Sequence, residues 1–237
     1  AQNYNRVGSY AHALEFLERG LKLDPDNGRL YAERGKTYAL MENYRESIAA
    51  YKQLVEVDFL NDENHIVLGE NYMRGNMIEA ARKEFIKAAE INPLSARASH
   101  YLGVCALYER DYAQALDYFK KTIALNENMY QAYNNIGVIY QIQHNEYQAM
   151  SFFERAVALN ATYGIGNFNF GRALLKRRDF SNAEKQLLLS LQADPEEERT
   201  HYLLGILYEH MREYTKALAE FRFLSSRWPE QRSYKLI

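Results

Sequence analysis

Residues 96–129 read ARASHYLGVCALYERDYAQALDYFKKTIALNENM, and this stretch of the chain decides the fold. Its apolar residues recur at helical spacing in two stripes, the first through Leu102 and Ala106 and the second through Ala115 and Phe119. Side chains three and four residues apart lie on the same side of an α-helix. A short polar break separates the two stripes, so the stretch is predicted to form two helices joined by a turn.

The same pattern returns every 34 residues along the whole chain. One residue type that marks the period is glycine, at positions Gly35, Gly69, Gly103, Gly137, Gly171 and Gly205. A second is alanine, with Ser47 in one vacant place, at positions Ala13, Ala81, Ala115, Ala149, Ala183 and Ala217. All four prolines keep the same phase, at Pro25, Pro93, Pro195 and Pro229. A fixed period of this length is the signature of a repeat architecture.

The phase of the repeat divides the chain into units. Six complete units are predicted, together with a truncated unit 1–27 and a tail 232–237; the complete units are 28–61, 62–95, 96–129, 130–163, 164–197 and 198–231. All units but the last end near an Asx residue, which proline often follows, as in Asn92-Pro93. The residue before proline leaves the helical region, so the second helix of the unit stops there. The chain 1–237 is therefore interpreted as a single array.

The repeated glycines need a physical reason, because each one lies inside a predicted helix. A glycine there costs about 1 kcal/mol relative to alanine. That loss is tolerated if it lets two helices approach closely, with the alanines opposite and a large side chain in the adjoining gap. The gap-filling series is Leu17, Tyr51, Phe85, Phe119, Phe153, Leu187 and Phe221. A single hairpin of 34 residues buries too little apolar surface to fold alone, so neighbouring units must stack.

The order of these residues carries a family resemblance. Leu-Gly-x-x-Tyr is followed by Ala-x-x-x-Phe-x-x-Ala and then by Pro, here at Leu68, Gly69, Tyr72, Ala81, Phe85, Ala88 and Pro93. This order resembles the tetratricopeptide repeat. The resemblance implies an all-α, right-handed superhelical solenoid of helix-turn-helix repeats, six complete and one truncated at the N-terminus. It also implies that the first helices line a concave groove, in which family members hold a segment of another protein.

Composition and charge exclude several functional classes. The 29 basic and 31 acidic residues give a net charge of −2, which argues against a broad nucleic-acid surface. No apolar run approaches the roughly 18 residues of a membrane helix, so no membrane insertion is expected. The single cysteine excludes an internal disulfide framework.

Residues that suggest catalysis or metal binding are better explained as structural. Gly164 and Gly166 lack the third glycine of a dinucleotide-binding loop. His65 and His201 share the fourth place of their repeats, where helix packing is expected, and the histidines have no zinc-ligand spacing. Cys105 lies beside the repeat glycine and is predicted to be a buried small hydrophobe. No catalytic activity and no cofactor are therefore predicted.

The candidate binding site is the inner face that the resemblance assigns to the first helices. Its places are the second, fifth, sixth, ninth, twelfth and thirteenth of each unit, which lie on one side of a helix. In residues 96–231 these places hold four basic residues against one acidic residue, a balance of +3. The candidate groove residues are Arg97, His100, Tyr101, Tyr108, Asn134, Asn135, Phe168, Asn169, Arg172, Lys176, Arg199 and Tyr202.

Two asparagines sharpen this hypothesis. Asn135 and Asn169 occupy the same place in successive units, and an amide both donates to and accepts from a peptide backbone. The resemblance agrees, since family members use asparagine there to hold a peptide. The expected function is therefore a non-catalytic scaffold that binds an extended, acidic segment of a partner protein.

Other roles stay open at this level. The array could be the docking arm of a larger protein, such as a glycosyltransferase or a secretion or pilus assembly factor, or it could self-associate through its ends. A heat-shock-chaperone clamp is disfavoured because no three successive units supply its Lys/Asn, Asn and Lys/Arg set. Polar Ser225 and Arg227 replace apolar residues in the last unit, which predicts that the array ends near residue 237 and that the N-terminus is a cut. A cytoplasmic location is expected, with a periplasmic one as the alternative.

Overall fold

The computed structural model describes residues 9–228, which form thirteen α-helices and no strand. They are α1 (Tyr10–Leu23), α2 (Gly28–Leu40), α3 (Tyr44–Val57), α4 (Asp62–Arg74), α5 (Ile78–Ile91), α6 (Ala96–Tyr108), α7 (Tyr112–Leu125), α8 (Tyr130–Ile142), α9 (Glu146–Leu159), α10 (Gly164–Lys176), α11 (Phe180–Ala193), α12 (Glu198–His210) and α13 (Tyr214–Arg227). The helices fall into two compact parts, each of which contains several repeats. They are called the first unit (residues 1–125, with α1–α7) and the second unit (residues 126–237, with α8–α13) from here on.

Side-chain caps fix where several helices begin. Asn43 accepts a hydrogen bond from the backbone N–H of Glu46 at the start of α3, and Ser95 accepts one from Ala98 at the start of α6. Such caps satisfy N–H groups that have no partner inside the helix. Inside each helix pair, the turn contains a residue with φ between 57° and 63°, at Glu42, Asn76, Arg110, His144, Arg178 and Arg212. This left-handed residue ends the first helix and reverses the chain.

In the first unit, each helix packs against the next one along the chain, and the first helices α4 and α6 also contact each other. The repeat glycine lies where the two helices of a pair meet. A Cβ placed on Gly69 would lie 2.4 Å from Cε1 of Phe85, and one on Gly103 would lie 2.7 Å from Cε1 of Phe119. Both rings are fully buried. The prediction that these glycines permit close helix contact is therefore confirmed.

The second unit is built in the same way. Its pairs are α8 with α9, α10 with α11 and α12 with α13, and the first helices α8 and α12 both contact α10. A Cβ on Gly137 would lie 2.6 Å from Phe153, and one on Gly171 would lie 2.8 Å from Leu187. The first helices of this unit therefore lie side by side, and each of them has a side that does not face its own partner helix.

Two histidines are packed inside the units, as their repeat position predicts. Nδ1 of His65 lies 2.7 Å from Oε2 of Glu84, and its Nε2 lies 2.9 Å from the carbonyl oxygen of Phe59. His201 repeats this arrangement in the second unit, with Nδ1 2.6 Å from Glu220 and Nε2 3.0 Å from the carbonyl oxygen of Pro195. The expectation of core packing is confirmed, and each ring additionally has a glutamate partner that the sequence reasoning missed.

The ends of the chain carry expectations that remain predictions. Ser225 is half-buried, and Arg227 is exposed and forms an ion pair with Glu196 at 2.8 Å. The tail 232–237 and residues 1–8 of the truncated unit lie outside the described residues. Within the described part, none of the helices combines the length and the apolar character that crossing a bilayer would require.

Candidate functional site

The twelve candidate groove residues fall into two groups. Arg97, His100, Tyr101 and Tyr108 lie on α6 in the first unit, whereas the other eight lie on α8, α10 and α12 in the second unit. The two groups are described separately because each belongs to its own compact unit.

In the first unit, Arg97 is engaged within the protein. Its guanidinium pairs with the carboxylates of Glu63 and Glu70, both on the preceding first helix α4. Tyr101 stacks on Phe85 with ring centroids 4.8 Å apart. Burial is the main cause that raises the pKa of the Tyr101 hydroxyl to about 12, and the neighbouring carboxylate of Glu70 adds to it. Burial also raises the pKa of Glu70. Tyr108 is the most exposed aromatic of this group, at 63%.

His100 is half-buried, and its ring packs against two other aromatic rings of the first unit. Its ring lies 5.5 Å from that of Phe119 and 5.4 Å from that of Tyr101, measured between centroids. Its Nδ1 is buried, with no hydrogen-bond partner among the residues that the structure describes. Burial, and then the charge of Arg97, lower the pKa of the ring from 6.5 to about 4. The ring is therefore held neutral near pH 7.

This shift predicts a loss of stability in acid. Between pH 6.5 and pH 4 the unfolded chain binds a proton at His100 that the folded chain does not, so stability falls as the pH falls through this range. From pH 7 to pH 5 the contribution is about 2 kcal/mol. Chemical denaturation at the two pH values should therefore show a smaller acid loss in His100→Phe than in the parent. His100→Gln is the control for packing and should show the same reduction; an unchanged acid loss in both variants would contradict the assignment.

In the second unit, three asparagine amides form a chain. Nδ2 of Asn169 donates to Oδ1 of Asn134 at 2.9 Å, and Nδ2 of Asn134 donates to Oδ1 of Asn135 at 3.4 Å. Asn134 and Asn169 are 3% and 7% exposed, and Asn135 is half-buried. Asn135 donates its own amide to no acceptor within residues 9–228.

The amide chain corrects the expectation that Asn135 and Asn169 act alike. Because α8 and α10 contact each other, the sixth place of α10 faces the fifth place of α8. The side-chain NH2 of Asn169 therefore donates its hydrogen bond to Asn134. Asn135 retains its donor at the end of the chain. The prediction that an amide is available to a ligand therefore applies to Asn135.

The charges of the candidate groove are largely neutralised, which corrects the expected balance of +3. Lys176 pairs with Glu146, and Arg199 pairs with Glu197 through Nε and Oε1 at 2.7 Å. Arg97 is already paired in the first unit. The carboxylates were missed because Glu146 lies on a second helix and Glu197 lies in a loop, outside the inner places that were counted.

Arg172 is the exception among these four cations, since no carboxylate pairs with it in the described part of the chain. Its Nη2 donates to Oε1 of Gln141 and, at 3.5 Å, to Oδ1 of Asn169. Its Nε is buried without a partner in residues 9–228. Burial, and then the charge of Arg199, lower the pKa of the guanidinium.

Two guanidinium groups lie close to the ring of Phe168. Cζ of Arg172 lies 5.5 Å from the centroid of its ring, and Cζ of Arg199 lies 4.9 Å from it. These distances are those of cation–π contacts. A recess of about 370 Å³ opens beside the ring, lined by Tyr163, Gly164, Ile165, Phe168, Ser190, Ala193, Asp194, Glu197 and Arg199.

Comparison with protein families decides what kind of array this is. One family model described as tetratricopeptide repeat matches residues 66–129 and 168–229. A second model with the same description matches residues 1–27, 28–59 and 130–163. The chain belongs to the tetratricopeptide repeat family.

Relatives of this tetratricopeptide repeat protein are longer than the chain itself. Anaphase-promoting complex subunit 3 of Schizosaccharomyces pombe is 23% identical over 214 residues, which is 90% of this chain and 27% of that protein. Anaphase-promoting complex subunit 6 of Arabidopsis thaliana is 24% identical over 121 residues, 51% of this chain and 22% of that protein. The chain thus spans about a quarter of the length of these curated relatives.

Solved structures show the same fold. PilF of Pseudomonas aeruginosa superposes with a TM-score of 0.76 at 18% identity, over 88% of this chain and 95% of that one. A chain of the Cut9–Hcn1 hetero-tetramer superposes with a TM-score of 0.83 at 15% identity, over 98% of this chain and 46% of that one. The all-α tetratricopeptide fold predicted from the sequence is confirmed. Members of this family typically serve as non-catalytic protein-interaction scaffolds.

Proposed function

We propose that this tetratricopeptide array binds an extended segment of a partner protein on the first-helix face of its second unit. This face is defined as the side of α8, α10 and α12 that carries Asn135, Phe168, Arg172, Arg199 and Tyr202. The observation that carries the proposal is the amide chain that ends at Asn135. Nδ2 of Asn134 donates to the side-chain oxygen of Asn135 at 3.4 Å, which orients the amide of Asn135. The NH2 group of Asn135 therefore remains available to a peptide carbonyl. An oriented donor binds with a smaller loss of side-chain entropy.

Aromatic side chains support the same face. Tyr202 is 37% exposed, and its ring packs edge-on against Phe221 with centroids 6.3 Å apart. A tyrosine fixed in this way offers apolar area together with a hydroxyl, a combination that recurs where binding energy is concentrated. Phe168 is 6% exposed and contacts two arginines, so it supports their side chains from beneath the face.

The charge of the face favours acidic residues in the partner, through one unpaired cation. Lys176 and Arg199 have carboxylate partners, and Arg172 has none in the described residues. Binding should therefore weaken as salt rises, since screening acts on partly exposed charges. Since only one cation of the face is unpaired, the affinity should depend less steeply on salt than it would for a face with a net charge of +3.

The proposal is tested with a peptide selected on the chain from a display library of random dodecapeptides. Asn135→Ala should weaken its binding about tenfold, which corresponds to one lost hydrogen bond of about 1.4 kcal/mol. The melting temperature should change little, because Asn135 is half-buried and lies at the end of the amide chain. Fluorescence anisotropy with the labelled peptide gives the dissociation constant.

The matched control is Asn182→Ala on the second helix α11, where the side chain is exposed and contacts Asp179. It should leave the affinity unchanged. Equal affinities of the parent and Asn135→Ala would place the binding site elsewhere and contradict the proposal.

A second candidate is that the array is the recruitment arm of a larger protein or assembly factor. It is favoured by the curated relatives, of which the chain spans 27% and 22%. An antibody against the chain tests it on cell extract from the source organism. A band well above 27.7 kDa would support a larger protein, and a band at that mass would contradict it.

A further inference from the structure

Three loops of the first unit lie along one edge of it. They join each second helix to the first helix of the next pair and comprise residues 24–27, 58–61 and 92–95. A recess of about 530 Å³ is lined by residues of the first two loops. The third loop is tied to the start of α4, because Nδ2 of Asn92 donates to Oδ2 of Asp62 at 2.9 Å. The surface of these loops, together with the recess, is called the loop edge from here on.

The loop edge exposes large apolar side chains. Phe59, Leu60 and Leu94 are 62%, 68% and 76% exposed, and the two leucines occupy the same repeat place. In the second unit this place holds only polar residues, namely Asn128, Thr162 and Glu196. The fold therefore does not require an apolar residue there. Apolar side chains that cluster on a surface without serving the fold mark an interaction site.

The loop that carries Phe59 is held in place by hydrogen bonds. The carbonyl oxygen of Phe59 lies 2.9 Å from Nε2 of His65. Nδ2 of Asn64 donates to the carbonyl oxygen of Asp58 at 3.1 Å, and Nδ2 of Asn61 donates to the carboxylate of Asp58 at 3.0 Å. A loop fixed in this way loses less conformational entropy when its side chains bind a partner.

The charge of the loop edge decides what kind of partner fits it. The three loops contain no Lys, Arg or His but hold the aspartates Asp24, Asp26 and Asp58, and Asp62 follows at the start of α4. Arg29 lines the recess together with the three loop aspartates, so carboxylates outnumber guanidiniums there. Such a surface repels anionic lipid headgroups and the same edge of a second copy, and it attracts a basic partner.

The recess suits a long basic side chain. Its wall includes Ala32 and Val57, and Val57 is 39% exposed. Lysine and arginine lay their aliphatic stems along apolar surface and keep the charged group among polar atoms. Here the stem would lie against Val57, and the cation would lie near the loop aspartates.

We propose that the loop edge binds a basic segment of a partner protein that also carries large apolar residues. A lysine or arginine of this segment enters the recess, and its apolar residues cover Phe59, Leu60 and Leu94. Burial of these side chains supplies the affinity, and the aspartates select for the basic partner. The surface belongs to the first unit and is separate from the first-helix face of the second unit, so the two sites are tested independently.

A display library of random dodecapeptides tests the inference. It is selected on the parent and counter-selected on the double variant Leu60→Ser/Leu94→Ser, which should melt at the temperature of the parent because both side chains are exposed. The surviving peptides should have a net positive charge and large apolar residues. In fluorescence anisotropy, Asp26→Lys should weaken the binding of the synthetic peptides at least tenfold, since Asp26 is exposed and lines the recess.

Two variants serve as controls. Asp117→Lys makes the same change of charge at an exposed place on α7, and Leu40→Ser removes a half-exposed leucine at the end of α2. Both should leave the affinity within about twofold of the parent, which is the size of an indirect electrostatic effect at physiological salt. Asn135→Ala should also leave it unchanged, because it alters only the proposed site of the second unit.

The inference would be overturned if no peptide survived the counter-selection, if the survivors were neutral or acidic, or if Asp26→Lys bound them like the parent. Vesicles of phosphatidylserine and phosphatidylcholine in equal amounts, and sedimentation of the parent at high concentration, test the other occupants. Vesicle binding or dimer formation that is lost in the double variant would overturn the inference in favour of a membrane or a second copy.

Discussion

Replacing Glu84 with alanine should lower the free energy of unfolding by about 1–3 kcal/mol, the cost of leaving a buried hydrogen-bonding group without its partner. Oε2 of Glu84 lies 2.7 Å from Nδ1 of His65, and His65 is only 4% exposed. Without Glu84 that nitrogen would lose its partner in a place that water does not readily reach. Chemical denaturation followed by circular dichroism measures the change.

Glu90→Ala is the matched control, because Glu90 is exposed on the same helix α5. It should change the stability by no more than about 0.5 kcal/mol. Glu220→Ala removes the equivalent partner of His201 in the second unit and should also be strongly destabilising. A loss below about 1 kcal/mol in Glu84→Ala would contradict the role assigned to the pair.

Gly69→Ala should destabilise the protein by about 3 kcal/mol, although alanine is the better helix former by about 1 kcal/mol. The added Cβ would lie 2.4 Å from Cε1 and 2.7 Å from Cζ of Phe85, whose ring is fully buried. Either the ring, which is fully buried, or the backbone of helix α4 must move. Thermal and chemical denaturation of the two proteins give the difference.

The control for this prediction is Gly75→Ala at the end of the same helix. Its nearest atoms lie 3.5 Å from an added Cβ, an ordinary contact, and its φ is −78°. This variant should be neutral or more stable by up to about 1 kcal/mol, because alanine restricts the unfolded chain. If Gly69→Ala were as stable as Gly75→Ala, close helix contact could not be the reason for the repeated glycines.

The fold could be predicted because its signals are local and repeated. Gly69 and Phe85 lie 16 residues apart, and the same spacing returns as Gly103 with Phe119 and Gly137 with Phe153. Each repetition reports the same contact between two helices of one pair. Cys105 follows the same logic: it is fully buried, and burial raises the pKa of its thiol to about 11, as expected of a packing residue.

The candidate site could be predicted only in part, because it depends on which side chains meet between pairs. Counting charges at inner places gave +3, yet Lys176 reaches Glu146 on a second helix, and Arg199 reaches Glu197 in a loop. Asn169 occupies the same repeat place as Asn135, but its side-chain NH2 is already hydrogen-bonded to Asn134, whereas that of Asn135 is not. Such pairings are set by rotamers and by contacts between consecutive helices, which a repeat position does not specify.

The central claim is that the first-helix face of the second unit holds the partner segment. It is tested most directly by NMR of the isotope-labelled chain titrated with the display-selected dodecapeptide. The side-chain NH2 of Asn135 and the Nε–H signals of Arg172 and Arg199 should shift in proportion to the bound fraction, together with backbone amides of α8, α10 and α12. Shifts confined to the second helices α9, α11 and α13, with the Asn135 NH2 signal unchanged, would contradict the claim.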